Sequence, residues 1–315
     1  MSTNIFSTPR PIQLSRRAFG AALAAPLLFA FAPPAYAQSR FSAGLVAARA
    51  KLTAYNELYR ATQTMEAGWL RYFRSVDPDI GPKGTESRLL GFPKPNSAAA
   101  QADAAEKAAN SPPKEEEADR AAKALVHFYR LAFPDMVEAA DFYPTYVPKD
   151  DLGKAGQIWH RRLKQNTGFL PGARADLYKA ADAMRGRVEA AELVELEKRG
   201  RNEHWHVRRL TLQARAARDA FPLGPGPFDP DAVAKQMTAF EAVAAETEAY
   251  NKANPGKLLM FDSSPRSFIT TMNRLRDQIS KRPEARTVTE ADLRTALTAY
   301  AQMVEMGDLF FMNSP

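Results

Sequence analysis

Cysteine is absent from the whole 315-residue sequence. This absence excludes disulfide bonds, thiolate metal sites, iron–sulfur clusters, cysteine nucleophiles and an N-terminal lipid on cysteine. If the protein is exported, its hydrophobic core must hold the fold without covalent cross-links. A chain of this length can do so, because it buries roughly 70–75% of the surface of its unfolded state.

Catalytic signatures are scarce as well. The chain has four histidines, and we find no G-x-S-x-G nucleophile motif, no H-E-x-x-H zinc motif and no dinucleotide fingerprint. We therefore expect no cofactor and favour a non-catalytic protein over an enzyme. Whether the protein has any activity is left open by the sequence.

Strand patterns are rare, and residues 257–261 form the one short candidate. Apolar residues instead recur at steps of three and four, which is typical of helices with one buried face. In the segment 45–76 these residues are Leu45, Leu52, Tyr55, Tyr59, Met65, Trp69, Phe73 and Val76. The pattern predicts an all-α fold, an elongated multi-helix bundle with long, partly kinked helices.

Several helix boundaries can be predicted. Kinks are expected at Pro134 and Pro171, and further helices at about 152–184 and 187–221. Asp229-Pro230 is typical of a helix start, because aspartate caps the first turn and proline fits its first position. Thr289-x-x-Asp292 predicts a capping box that opens the last helix.

The N-terminus resembles a twin-arginine export signal. Arg16 and Arg17 lie in an S-R-R-x-F pattern, an apolar run extends from about Ala18 to Ala32, and Ala35 and Ala37 form an A-x-A cleavage site. The apolar run is shorter than the ~20 residues of a membrane-spanning helix. We therefore expect cleavage after residue 37 and a periplasmic product; retention of the segment as an anchor is the alternative.

Export would also change the charge. The segment 1–37 carries three arginines and no acid, so its removal lowers the net charge from +7 to +4. Such a weak positive charge does not favour nucleic acid as a partner. We expect an unknown small molecule or an envelope protein as partner, and no stable membrane anchor after processing.

The mature chain, residues 38–315, is predicted to be a single helical domain. A long loop at about 77–116 interrupts the helical pattern. Its second half, 97–111, is polar and alanine-rich and offers little to bury, which favours a mobile segment.

The histidines do not form an obvious metal site. His204 and His206 are two residues apart, so they point about 200° away from each other on a helix. Glu203 and His206 have the spacing of a di-metal bundle ligand pair, but no second Glu-x-x-His occurs. We expect a solvated turn beside Trp205 here, a packed or surface side chain at His160, and a solvated, salt-bridged face over the mixed charges of 186–209.

Two short polar stretches stand out. GPKGTE at 81–86 has two glycines and a lysine but lacks the spacing of a phosphate-binding loop, so a glycine-permitted turn is expected. Asp150 and Asp151 could form a carboxylate pair for acid–base chemistry. Their place at the start of a predicted helix favours a capping role instead.

Together these stretches resemble a known family. KLTAYNELYR with GWLRYFRSVDPDIGPKGTE, and FYPTYVPKDDLGKAGQIWH, are similar to the YiiG-like domain-of-unknown-function family of bacterial exported helical proteins, over most of 45–310. The resemblance implies an all-helical envelope protein and no defined activity. Many members are lipoproteins, an arrangement that a cysteine-free chain lacks. The resemblance directs attention to a shared pocket or a shared turn-and-cap device at Gly81, Gly84, Glu86, Asp150, Asp151 and His160.

Two functions therefore compete. The first is a non-catalytic binding or interaction protein of the cell envelope, using a groove between helices or the loop 77–116. The second is a metal-binding protein or metal-dependent enzyme that uses Asp150, Asp151 and His160.

Overall fold

The computed structural model describes residues 41–85, 94–222, 226–258, 261, 263–282 and 287–313. Within these ranges the chain is almost entirely helical, which confirms the predicted all-α multi-helix bundle. The helices are α1 (Ala43–Ala61), α2 (Gln63–Ser75), α3 (Ala99–Asn110), α4 (Glu116–Phe142), α5 (Lys154–Thr167), α6 (Leu170–Lys198), α7 (Glu203–Asp219), α8 (Pro230–Ala253), α9 (Ser264–Ser280) and α10 (Glu290–Asn313). A short 3-10 helix spans Pro148–Asp150.

The strands are minimal. β1 (Gly226–Pro227) pairs antiparallel with β2 (Thr287–Val288) and joins the connectors that precede α8 and α10. The prediction of a strand at 257–261 is wrong for the described residues of this segment, which lie in turns.

The predicted helix starts are confirmed. The Asp229 carboxylate accepts hydrogen bonds from the amides of Asp231 and Ala232, at 3.0 and 3.1 Å, and begins α8. Thr289 and Asp292 cap each other at the start of α10, with the Thr289 amide 2.8 Å from the Asp292 carboxylate. Local side-chain chemistry sets these boundaries.

The long helix expected over 45–76 is two helices, because a buried arginine binds its backbone in the middle. The Arg174 guanidinium donates to the carbonyl of Tyr59 and to the hydroxyl of Thr62, and its Nε lies 2.8 Å from Glu66. The side chain thus satisfies a carbonyl at the end of α1, where intrahelical donors run out.

The prediction of a mobile segment at 97–111 is wrong, because residues 99–110 form α3. Ala102, Ala105 and Ala109 are almost fully buried, with 1%, 0% and 1% of their surface exposed. α3 packs against both α1 and α4. Alanines at steps of three and four let these helices approach closely, so a stripe without large side chains still forms a core.

The boundaries between α5 and α7 also differ from the prediction. Pro171 does not kink a helix; it lies in the first turn of α6, where its missing amide costs nothing. α6 then continues across residues 184–187, and the break falls near Gly200, whose φ is +103°. Pro134 does lie inside a continuous helix, α4.

Buried apolar residues form two clusters, and α6 contributes to both. One cluster combines α1–α5 with α6 as far as Val188, and the other combines Leu196 of α6 with α7–α10. α6 packs against α1, α4 and α7. None of the described helices has the length and apolar character needed to cross a membrane. The single-domain organisation of 38–315 stays a prediction.

Candidate functional site

The turn after α2 is held by Asp77. Its carbonyl accepts from the amide of Gly81 at 2.8 Å, and its carboxylate accepts from the amides of Asp79 and Ile80 at 3.0 and 3.1 Å. Lys83 Nζ lies 2.9 Å from the same carboxylate. The hydrogen bond from Lys83, followed by those from the two amides, lowers the pKa of Asp77 to about 2.

The two glycines of this turn are needed for close contact. Gly81 has φ +85°, and a Cβ built on it would lie 2.7 Å from the Cβ of His160. Gly84 has φ +79°, and its Cβ would lie 2.6 Å from the carbonyl carbon of Leu152. The predicted glycine-permitted turn is confirmed, and it packs directly onto the segment that begins α5.

That segment has matching glycines. A Cβ on Gly153, whose φ is +81°, would lie 2.6 Å from the carbonyl oxygen of Pro82. A Cβ on Gly156 would lie 2.7 Å from the ring of Tyr146. The side chain of Gln157 donates to the same Pro82 carbonyl at 3.0 Å. The two backbones therefore meet without room for a side chain between them.

Asp151 caps α5. Its carboxylate accepts from the amides of Ala155 at 2.8 Å and Gly153 at 3.0 Å, and from the hydroxyl of Tyr146 at 2.8 Å. The amide of Ala155 and then the Tyr146 hydroxyl lower the pKa of Asp151. The capping interpretation is confirmed for this residue, whereas Asp150 is exposed in the 3-10 helix.

His160 is fully buried beneath the turn. Its Nε2 lies 3.2 Å from the carbonyl of Pro78, so this nitrogen donates, and its Nδ1 lies 3.1 Å from the hydroxyl of Tyr72. The hydroxyl of Tyr143 lies 2.8 Å from that of Tyr72 and 3.3 Å from the carbonyl of Gly156. Burial lowers the pKa of His160, so the imidazole is neutral and both nitrogens are occupied.

This burial predicts a pH dependence of stability. In the unfolded chain His160 titrates near 6.5, whereas the folded state holds its pKa lower, so the unfolded state gains a proton first as the pH falls. The stability advantage of the wild type over His160→Gln should therefore shrink between about pH 7 and pH 5. Urea denaturation across this range measures it; a constant difference would mean that folding leaves the pKa of the imidazole unchanged.

Sequence reasoning missed a second polar cluster, a layer of charges between the two apolar clusters. We define the ionic layer by its ion-paired members Arg49, Asp182, Arg185, Glu189, Glu192, Arg208, Arg215, Arg218 and Asp308. They come from α1, α6, α7 and α10. The solvated face expected over 186–209 is wrong for Glu189, Glu192 and Arg208, whose exposed fractions are 3%, 0% and 1%.

Two arginines of the ionic layer lie against Glu192. Glu192 lies 2.7 Å from Arg49 Nε and 3.0 Å from Arg208 Nη2. Burial raises the pKa of Asp308, although Arg185 and Arg208 oppose this shift. The sequence does contain a signal for this burial. The acidic residues of α6 follow its buried apolar residues at steps of three and four, so they lie on the same face of the helix.

Over residues 47–306 the chain matches a protein family described as "Protein of unknown function (DUF3829)". This chain belongs to that family. No curated protein and no solved structure matches it. The DUF3829 match spans the turn at Gly81 and every member of the ionic layer except Asp308. The family supplies no activity to either.

Within the DUF3829 region, most of the predicted site residues do come together. Those in one contact network are Gly81, Gly84, Asp151 and His160, with Asp150 exposed at its edge. Glu86 and the predicted export residues Arg16, Arg17, Ala35 and Ala37 lie outside the described residues. The contacts in this network are those of the turn-and-cap alternative; the shared pocket stays a prediction.

The metal hypothesis gains no support from this geometry. His160 has both nitrogens bonded to protein groups, and the Asp151 carboxylate caps α5. Among the described residues, no group of three or more His, Cys, Asp and Glu side chains is placed to hold a metal ion.

The solvated turn expected around Trp205 is wrong. His204 and His206 are both 5% exposed and lie in the first turn of α7, which the Asn202 side chain caps. His206 packs against the ring of Tyr250, with ring centres 4.4 Å apart. Burial lowers the pKa of His206, as it does for His160.

Proposed function

We propose that this chain is an exported, non-catalytic protein of the bacterial cell envelope that binds a partner protein through an apolar surface around Leu152. The predicted twin-arginine signal and the resemblance to YiiG-like exported proteins support the location. The buried, fully bonded state of His160 argues against a catalytic or metal-binding role for the family motif. The conformation of Leu152 carries the proposal.

Leu152 has φ +59°, the left-handed region, while 70% of its surface is exposed. This conformation costs an L-residue with a Cβ roughly 1–2 kcal/mol. Glycine or asparagine would avoid much of this cost, and an exposed leucine gains little packing within the chain to offset it. An apolar contact with another molecule explains why a leucine occupies this position.

Other exposed apolar side chains lie on the same three segments. We define the Leu152 surface as Ile80, Val147, Leu152 and Ile158, which are 55%, 40%, 70% and 60% exposed. The turn at Ile80 contacts α5, which carries Ile158, through the hydrogen bond from Gln157 to Pro82. These segments pack on one another, and the proposal takes their exposed side chains as the partner's contact region.

Leu152→Asn is expected to raise the free energy of unfolding by about 1 kcal/mol, because asparagine tolerates the left-handed conformation. Urea denaturation followed by circular dichroism measures the change. Leu131→Asn is the matched control: Leu131 is 46% exposed but lies in the middle of α4, where asparagine lowers helix stability. Equal losses for both variants would show that the Leu152 side chain stabilises the fold.

The binding role is tested by photocrosslinking in the native host. A photoreactive phenylalanine analogue replaces Leu152 or Ile158 in the full-length, exported chain. We expect a protein adduct of one defined mass from both positions. Val194, 54% exposed on α6, is the control position and should give no such adduct. No adduct from the Leu152 surface, or the same adduct from Val194, contradicts the proposal.

A further inference from the structure

The charge of α5 is one-sided. The helix contains no acidic residue, and its cations are Lys154, Arg161, Arg162 and Lys164. Arg162 pairs with two carboxylates of α4, and Lys164 Nζ lies 2.9 Å from a carboxylate oxygen of Asp79. Lys154 and Arg161 are exposed, and neither has an ion pair among the residues that the structure describes. Two positive charges of the helix are thus open to another molecule.

These two charges flank Ile158 of the Leu152 surface. Side chains three and four residues apart are neighbours on a helix, so Lys154, Ile158 and Arg161 lie on one face. Ile158 is 60% exposed, whereas the opposite face of α5 carries its buried residues, Gly156, His160, Leu163 and Thr167. The exposed face of α5 therefore presents an apolar side chain between two cations.

Lys154 lies at the end of α5 that favours an acid. It is the first residue of the helix, and the first turn has no acidic residue. The helix macrodipole gives this end a partial positive charge, so an aspartate or glutamate would stabilise it and a lysine does not. The Asp151 carboxylate bonds to the amides of Gly153 and Ala155 rather than to Lys154. Contact with an anion on another molecule explains a cation at this position.

Among the described residues, the neighbouring acids do not offset this charge. In the turn after α2, the Asp77 carboxylate lies 2.9 Å from Lys83 Nζ. In the connector before α5, Lys149 and Asp150 are both exposed, and their opposite charges offset each other. The excess positive charge at the Leu152 surface therefore comes from the exposed face of α5.

This arrangement favours an acidic protein over two other occupants. A second copy of the same face would bring cations against cations. An anionic lipid surface would match the charge, but helices that enter a lipid interface carry a broad apolar face. The one large apolar side chain that α5 exposes is Ile158. An apolar centre with a polar rim is instead typical of protein interfaces.

We propose that the partner of the Leu152 surface is a protein with an acidic contact face, whose aspartate or glutamate side chains pair with Lys154 and Arg161 around an apolar contact at Ile158. This inference rests on the proposed function and adds the chemistry of the partner. The paired charges speed the encounter and align the partner on α5, and salt weakens the complex because it screens them.

The test adds charge reversal to the photocrosslinking from Leu152 in the full-length, exported chain. Lys154→Glu combined with Arg161→Glu should lower the yield of the defined-mass adduct about tenfold or more, because like charges would then face each other. Lys154→Arg combined with Arg161→Lys keeps both charges and should keep the yield. In a periplasmic extract, added sodium chloride should lower the wild-type yield.

Lys198→Glu combined with Lys235→Glu is the matched control. These lysines are exposed on α6 and α8, so the variant has the same change in net charge and should leave the adduct unchanged. Thermal melting checks that the variant with Glu at 154 and 161 is folded. It should melt no lower than the wild type, because an acid is favoured at the start of α5.

The possible failures are distinguishable. A wild-type adduct that charge reversal at Lys154 and Arg161 leaves unchanged would overturn the acidic partner and leave the proposed function intact. No adduct from the wild type would overturn both. The purified protein is also sedimented with vesicles of phosphatidylglycerol and phosphatidylcholine, and with phosphatidylcholine alone. Binding to the anionic vesicles that charge reversal abolishes would overturn the acidic protein in favour of a lipid surface.

Discussion

Glu192→Leu is expected to lower the free energy of unfolding by about 3–5 kcal/mol. Glu192 is fully buried and lies 2.7 Å from Arg49 and 3.0 Å from Arg208. Leucine has a similar volume, so the loss would not come from a cavity. It would come from two guanidiniums left in a buried environment without the carboxylate between them.

Urea denaturation at neutral pH, followed by circular dichroism, measures this loss. Glu197→Leu on the same helix is the control: Glu197 is half exposed in its ion pair with Arg201, and its loss should cost less than about 1 kcal/mol. Adding Arg208→Met to Glu192→Leu should recover part of the stability, because it removes one stranded charge. Similar small losses for Glu192→Leu and Glu197→Leu would show that water reaches the ionic layer.

Gly153→Ala is expected to lower the free energy of unfolding by about 3 kcal/mol or more. The left-handed φ of +81° costs an alanine roughly 1–2 kcal/mol. The new Cβ would also lie 2.6 Å from the Pro82 carbonyl oxygen, so two backbone segments would have to separate, which adds about 1–3 kcal/mol.

Gly256→Ala separates these two contributions. Gly256 has a similar φ of +87°, but no atom lies within 4 Å of the position that its Cβ would take. It should lose only the roughly 1–2 kcal/mol of the conformational cost. Thermal melting of the two variants gives the comparison. Equal losses would mean that the turn at Gly81–Gly84 moves away from α5 without cost.

Local signals predicted the ends of elements well. The start of α8 at Asp229 and the capping box of Thr289 and Asp292 depend on side chains that bond to their own first turn. Such signals need no information from the rest of the chain. The break between α1 and α2 was not predictable in this way, because Arg174 of α6 produces it from more than one hundred residues away.

Composition misled in two places for different reasons. The alanine-rich stretch of α3 has little to bury by residue type, yet alanines at helical spacing form a close interface with α1 and α4. Mixed charges on a helix have the same spacing in the sequence whether the face that carries them is solvated or buried. The spacing of the charges in α6 and α7 therefore could not predict their burial. The packing of α1, α7 and α10, which brings Arg49 and Arg208 to Glu192 and Asp308 to Arg185, decides between the two.

The residues of the candidate motif lie close together, and their contacts are those of a turn and a helix cap. Gly81, Asp151 and His160 are brought together, as a shared site would require. Their polar atoms are then used up by bonds within the chain.

The ionic layer also bears on the order in which the protein can be completed. During synthesis, Glu189 and Glu192 leave the ribosome before Arg208, and Asp308 follows Glu192 more than one hundred residues later. The N-terminal cluster can therefore assemble early, but it carries a charged face of α6 that remains without its final partners until α10 arrives. A product truncated before α10 would retain this uncovered face of α6.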